Sequence, residues 1–252
     1  MNRNLDRIQR NGKIMMLAYD QGLEHGPEDF DSKNYHPEYI CDIASQGKYT
    51  CLAMQYANAR KFWLPKYAHV PMIVKLNGKT KLGPEALSVT NASVDEAIGI
   101  GASGVGFTIY LGSDHEAEMI REFSEIRRQA HRYGLVVIAW MYPFITKPSS
   151  NDDELEADIV AYAARAGAEL GADVVKIKYP RQPEKLPWII KNAVGTKAIL
   201  SGGDKTSDED FVLKVKQFMN AGGAGVAVGR NAWQHPQPLF ITEKTRKVIW
   251  PE

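Results

Sequence analysis

Eight short apolar runs recur along the chain, and each is followed by a segment with helical spacing. They are Ile14–Asp20, Thr50–Met54, Pro71–Asn77, Gly104–Tyr110, Leu135–Trp140, the core of Gly171–Tyr179, Thr196–Ser201 and Ala224–Val228. Short β-branched runs alternating with helices are the pattern of a parallel sheet buried on both faces. Eight such units in 252 residues predict one (β/α)8 barrel, the TIM-barrel architecture, over residues 1–252. A doubly wound sheet is the alternative, but the first strand lacks the Gly-rich turn that fold uses. The chain has no linker, low-complexity run or internal repeat.

The helices read less evenly. Pro37–Gln46 opens with a helix-compatible proline, and Tyr56–Tyr67 ends near Pro65. Val94–Ile100 is short. A strong helix is predicted from a Ser113 cap to Tyr133, with Gly134 at its end. Asp152–Gly171, Glu184–Asn192, a Ser207-capped helix to Asn220 and a segment from Gln237 complete the series.

Bulk properties exclude several functions. Net charge is +1, which gives no electrostatic case for nucleic acid or an anionic membrane. The run Ile14–Ala18 is too short for a signal core or a membrane span. Cys41 and Cys51 sit in no metal or redox spacing, so a cytoplasmic location is expected. Six scattered histidines form no clustered set of ligands, so no metal or other cofactor is expected.

In a barrel, chemistry lies at the C-terminal ends of the strands. The polar residues expected there are Asp20, Lys75, Asn77, Trp140, Tyr142, Lys176, Ser201 and Arg230. On the sixth run, Val175 and Ile177 point one way; Val174, Lys176 and Lys178 point the other. Lys176 therefore faces the interior, with Lys178 toward the rim. A desolvated lysine beside a second cation has a depressed pKa and is a candidate amine nucleophile. Trp140 and Tyr142 share a face beside it, and Tyr142 could shuttle a proton. Asp20 could keep the amine charged or exchange protons with a carbinolamine. Lys75 is the rival amine. Ser201-Gly202-Gly203 and Gly229-Arg230-Asn231 read as a phosphate site after the seventh and eighth strands, their glycines letting backbone N–H groups approach an anion. His25 could bind a phosphate or hydroxyl, or order its own loop.

These residues carry a resemblance. The stretches Asp20-Gln-Gly-Leu-Glu-His-Gly-Pro27, Lys75-Leu-Asn77, Gly106-Phe-Thr-Ile-Tyr-Leu-Gly-Ser-Asp114, Trp140-Met-Tyr-Pro143, Val175-Lys-Ile-Lys178, Ser201-Gly-Gly203 and Val228-Gly-Arg-Asn231 follow one another as in the archaeal-type class I fructose-bisphosphate aldolases. The chain resembles that family over nearly its whole length. The resemblance implies a metal-free Schiff-base cleavage of fructose 1,6-bisphosphate, a glycolytic and gluconeogenic reaction. Lys176 would be the nucleophile, Tyr142 the proton donor and acceptor, and Asp20 the residue assisting carbinolamine dehydration. Trp140 would shape the pocket. Ser201, Gly202, Gly203, Gly229 and Arg230 would hold the C1 phosphate. A homo-oligomer, often a ring of ten, is implied as well.

One departure stands out. Where that family often has Tyr-Pro-Arg and glycines, this chain has Tyr142-Pro-Phe-Ile-Thr-Lys-Pro148. Phe144 occupies the arginine position, and Lys147 is a candidate substitute. The aldehyde half of the substrate is thereby left open, and a related aldolase acting on another phosphorylated keto sugar is the alternative. A phosphosugar-binding barrel without catalysis is the alternative from a different class.

Overall fold

The computed structural model describes residues 5–144 and 153–251. Eight parallel strands close into a barrel: β1 Ile14–Tyr19, β2 Cys51–Gln55, β3 Met72–Lys75, β4 Gly104–Leu111, β5 Val136–Pro143, β6 Val174–Ile177, β7 Lys197–Ser201 and β8 Gly225–Val228. Each pairs with its sequence neighbour, and β8 returns to β1 in the register Ile14↔Gly225 to Leu17↔Val228. The doubly wound alternative is excluded by this closure. At the seam, a Cβ on Gly225 would lie 1.8 Å from the Ile14 carbonyl oxygen. Only glycine permits so close an approach of two backbones.

The outer helices are α1 Pro37–Gln46, α2 Tyr56–Phe62, α3 Val94–Gly99, α4 Glu116–Arg132, α5 Ala157–Glu169, α6 Leu186–Lys191, α7 Asp208–Asn220 and α8 Pro238–Ile249. Several starts follow local chemistry. Ser207 Oγ accepts from the Asp210 N–H at 3.2 Å, satisfying one orphan donor of α7. Ser93 and Glu96 form a reciprocal capping box on α3. The expected Ser113 cap is corrected: α4 begins at Glu116, with His115 at the cap position and no side-chain cap bond. Ser113 instead ends the preceding turn, accepting from the His115 N–H. Two helices are shorter than their apolar spacing suggests. Tyr56–Phe62 stops before Pro65, and the stretch before α5 is a 3-10 turn, Asp153–Leu155.

Alternation sorts the strand residues into two layers. Val175 and Ile177 point outward into the main core between strands and helices. Ile14, Met16, Ala53, Ile73, Ile138, Trp140, Val174 and Ile199 point inward and fill the barrel. Ile8, from the turn Leu5–Ile8, is fully buried in this inner cluster. The polar lead-in therefore contributes to the barrel's filling. Each fully buried aliphatic or aromatic side chain contributes roughly 1.5–3 kcal/mol. Above Trp140 the inward residues become polar, and the packed core gives way to a cavity.

Candidate active site

That cavity opens at the C-terminal ends of the strands. Its volume is about 100 Å³, and Asp20, Lys75, Trp140, Tyr142, Lys176 and Arg230 are among its walls. Eleven of the residues expected from the sequence line it, including His25, Ser201, Gly202, Gly203 and Gly229. Asn77 does not. It is fully buried, and its side chain clasps the Thr108 backbone, accepting from the N–H at 2.8 Å and donating to the carbonyl at 2.9 Å. The third run turns at this point: β3 ends at Lys75, and Asn77–Gly78 pairs antiparallel with Val89–Thr90. A carboxamide that can satisfy both backbone groups of a facing strand stays with them.

Register places the chemistry. Trp140 and Lys176 are direct partners across β5 and β6, and Thr108 partners Trp140 from β4. The Lys176 ammonium lies 5.1 Å from the Trp140 ring centre and 5.7 Å from that of Tyr142. Tyr142 Oη and Ser201 Oγ are 3.4 Å apart. The rival Lys75 is almost fully buried. Its ammonium donates to the Asn77 carbonyl at 3.0 Å and lies 3.7 Å from Glu24 Oε1. Lys75 is thus committed as a donor to groups away from the glycine loops. The two ammoniums sit against one Trp140 ring, Lys75 at 5.7 Å.

The depressed pKa expected of Lys176 is corrected. Burial does push it down, but the Tyr142 oxygen, Asp20 and Glu24 outweigh burial and leave it above the ordinary lysine value. The sequence argument counted Lys178 as the neighbouring charge. Lys178 is instead paired with Glu154, and the charges acting on Lys176 are acidic.

The glycine loops are positioned by an aromatic lock. Trp233 Nε1 donates to the Ala18 carbonyl at 3.0 Å, and its ring stacks on Phe30 at 5.6 Å. This ties the end of β1, which carries Asp20, to the turn after β8. Asn231 Nδ2 donates to the carbonyls of Gly202 and Asp204, both at 2.9 Å, and its Oδ1 accepts from the Thr206 N–H at 3.0 Å. Asn231 therefore stitches the two loops together. Within these loops the Gly202 N–H is spent on the Ala227 carbonyl at 2.9 Å. Gly203 N–H makes no such bond among the described residues. Arg230 extends between Asp204 at 2.6 Å and Asp29 at 3.7 Å. His25 orders its own loop through Asp29 at 2.9 Å while lining the mouth.

Three polar wall residues were not singled out from the sequence: Gln21, Glu24 and Thr108. Glu24 is the most consequential. It accepts from Tyr110 Oη at 3.0 Å and faces Lys75, and with burial it drives the Tyr110 pKa upward. Its loop position beside His25 was visible, but nothing local indicated an inward direction. A second cavity of about 690 Å³ adjoins the first, sharing Tyr142, Ser201 and Arg230 and adding Tyr110, Phe144, Lys178 and Tyr179. Phe144 packs edge-on to Tyr110 at 6.3 Å. Lys147 lies outside the described residues.

This arrangement holds an amine, a phenol and a carboxylate around one small polar space. Glycine-rich turns and an arginine stand beside it. Among the described residues, no group of three or more His, Cys, Asp or Glu could hold a metal ion.

Comparison with known proteins agrees with this geometry. The chain is 41% identical over 245 residues to the class 1 fructose-bisphosphate aldolase of Thermoproteus tenax, covering 96% of this chain and 91% of that one. It is 34% identical over 254 residues to the fructose-bisphosphate aldolase/6-deoxy-5-ketofructose 1-phosphate synthase of Methanocaldococcus jannaschii, covering 94% and 81%. Its fold matches, with a TM-score of 0.90 and 41% identity over 97% of both chains, an archaeal fructose-1,6-bisphosphate aldolase whose catalytic Lys is covalently bound to the carbinolamine intermediate of the substrate. The family model for DeoC/LacD family aldolases matches residues 14–235, and the chain belongs to that family.

Proposed function

We propose that this protein is a class I fructose-bisphosphate aldolase that works through a Schiff base on Lys176. The observation that carries the reading is a single juxtaposition. A buried lysine at a strand end has a phenol and a carboxylate within its electrostatic reach and phosphate-type loops beside it.

The chemistry follows from those groups. The neutral Lys176 amine attacks the C2 carbonyl of the ketose, and Asp20 accepts and returns protons as the carbinolamine loses water. The resulting iminium draws electrons from the C3–C4 bond. Tyr142 takes the C4 hydroxyl proton, the bond breaks, and glyceraldehyde 3-phosphate leaves. The enamine then regains a proton at C3 through Tyr142, and hydrolysis releases dihydroxyacetone phosphate. Gly203, Arg230 and Ser201 hold the C1 phosphate, while Trp140 forms the floor against which the imine lies. No step uses a metal or another cofactor.

Phe144 favours one second reading, an aldolase of this family whose acceptor differs. The relative that is also a 6-deoxy-5-ketofructose 1-phosphate synthase shows that such variation accompanies comparable sequences. We also propose a homo-oligomer, a ring of ten being the size implied by the resemblance. A cytoplasmic location, within glycolysis or gluconeogenesis, fits two free buried cysteines. No helix among the described residues is long and apolar enough to cross a membrane.

Borohydride trapping with dihydroxyacetone phosphate, followed by peptide mapping, tests the reading. An adduct on Lys176 supports it. An adduct on Lys75 would move the site while keeping the chemistry. No adduct, with phosphosugar still bound, would turn the reading to a binding barrel.

A further inference from the structure

The turn after β1 lines two different cavities. Gln21, Glu24 and His25 line the candidate active site; Gly22, Leu23 and Gly26 line a separate cleft of about 750 Å³. We propose that this cleft is an effector site for an uncharged adenine-type ring, and that its occupancy is felt at Asp20 and Lys75. The binding half stands alone; the coupling half rests on the aldolase reading.

The walls select the ligand. Among the described residues, no Asp, Glu, Lys, Arg or His lines the cleft, so nothing there compensates a phosphate or a carboxylate. Five rings do line it: Tyr19, Phe30, Tyr35, Tyr56 and Phe62. Tyr19 and Phe30 are fixed by packing on Trp233, at 5.8 and 5.6 Å, and Tyr19 Oη donates to the Asn34 carbonyl at 2.8 Å. Tyr35, 62% exposed, is the outer lip. Three carboxamides share this apolar space: Gln55, Asn58 and Asn91. Among the described residues no hydrogen bond occupies the Asn58 or Asn91 side chain, or Gln55 Oε1. Aromatic walls with a few convergent polar groups are the makeup of a small-molecule site. A carboxamide matches the donor and acceptor edge of adenine, and a flat ring stacks on tyrosine and phenylalanine.

Gln55 joins the cleft to the catalytic groups. It ends β2, and its Nε2 donates to the Asp20 carbonyl at 3.3 Å and to the Asn77 carbonyl at 3.2 Å. The Asn77 carbonyl also accepts from the Lys75 ammonium at 3.0 Å. Leu23 belongs to the same turn as Glu24, which lies 3.7 Å from the Lys75 ammonium and accepts from Tyr110 Oη. A ring that donates to Gln55 Oε1 and packs on Leu23 therefore binds the arrangement in which Gln55 holds Asp20 and Asn77. Preferential binding to that arrangement raises its population, so the ligand is an activator.

Adenosine is the probe, added to the intact protein in titration calorimetry and in the aldol assay. It should bind with dihydroxyacetone phosphate already present, and each should raise the affinity of the other by about 5-fold or more. Asn58→Ala and Tyr35→Ala should each weaken adenosine about 10-fold. Both should leave the basal aldol rate unchanged, which also shows that they fold. No binding at millimolar adenosine, or binding that both variants leave intact, would overturn the site. Dissociation of the native assembly by Tyr35→Ala, with no adenosine bound by the wild type, would give the cleft to a second copy and overturn the proposal. Equal adenosine affinity with and without dihydroxyacetone phosphate would overturn the coupling. Failure of the wild-type protein to form the imine would overturn the aldolase reading and the coupling, while adenosine binding weakened in both variants would still support the site.

Discussion

The edge of the Trp140 indole occupies the space a side chain on Gly106 would need. A Cβ at Gly106 would lie 2.1 Å from both Cζ3 and Cη2 of that ring. The absence of a side chain on β4 is therefore what lets the tryptophan of β5 lie flat beneath Lys176 and Lys75.

Gly106→Ala should displace that ring. Overpacking a closed core destabilises by about 1–3 kcal/mol, and urea unfolding should show a loss of that size. The larger effect is chemical, because Lys176 loses the surface 5.1 Å from its ammonium. Imine formation with dihydroxyacetone phosphate should slow while binding of the donor phosphate persists. Normal trapping kinetics in a destabilised variant would show that the ring is packing alone.

The pH dependence of Lys176 has a definite sign. Burial lowers its pKa, yet Tyr142, Asp20 and Glu24 raise it further, so the net value stands above the ordinary 10.5. The ammonium thus persists to higher pH than a free lysine, and the fraction of neutral amine at any neutral pH is smaller. Amine labelling of Lys176 should climb through the alkaline range and reach its midpoint above 10.5. Glu24→Gln removes one negative neighbour and should move that midpoint down. A plateau well below the ordinary value would show that burial dominates after all.

Tyr142→Phe separates two roles. If the phenol transfers the C4 proton, cleavage should fall about 10²- to 10⁴-fold, the range for a positioned general acid or base. The imine with dihydroxyacetone phosphate should still form, since Lys176 and Asp20 remain. Single-turnover cleavage and trapping, measured on the same preparation, read the two steps independently. Loss of both would assign the phenol to holding Lys176 instead.

The eight apolar runs made the barrel legible because strand periodicity is local and each run ends near a turn signal. The site was legible to the extent that strand alternation reached it, which is why Lys176, Trp140 and Tyr142 fall where their parity puts them. Parity failed at Asn77, where the chain leaves β3 and a carboxamide meets the Thr108 backbone. It also gave no account of Glu24, whose direction is set by a one-turn helix, Gly22–His25, and by partners 86 residues away at Tyr110 and on β3 at Lys75. The charge acting on Lys176 was misread for the same reason. The neighbouring lysine in sequence is paired with Glu154, and the groups that raise the Lys176 pKa are Tyr142 on β5 and then Asp20 and Glu24 from the first strand's loop.

Asn231 offers the sharpest test of how the glycine loops, the proposed phosphate site, are held. Its carboxamide makes three hydrogen bonds, to Gly202 O, Asp204 O and Thr206 N, and it is buried. Asn231→Ala strands those backbone groups, so a loss of about 1–3 kcal/mol in stability is expected. Because Gly203 and Arg230 are presented by the same two turns, the donor phosphate should bind less tightly. The expected signature is a raised KM for phosphorylated ketose with a smaller change in kcat, since Lys176, Tyr142 and Asp20 are carried on other strand ends. Inorganic phosphate should also compete less well in the variant than in the wild type. A stability loss with unchanged KM and unchanged phosphate competition would mean that the loops hold their shape without this stitch, and that Arg230, anchored by Asp204 and Asp29, suffices.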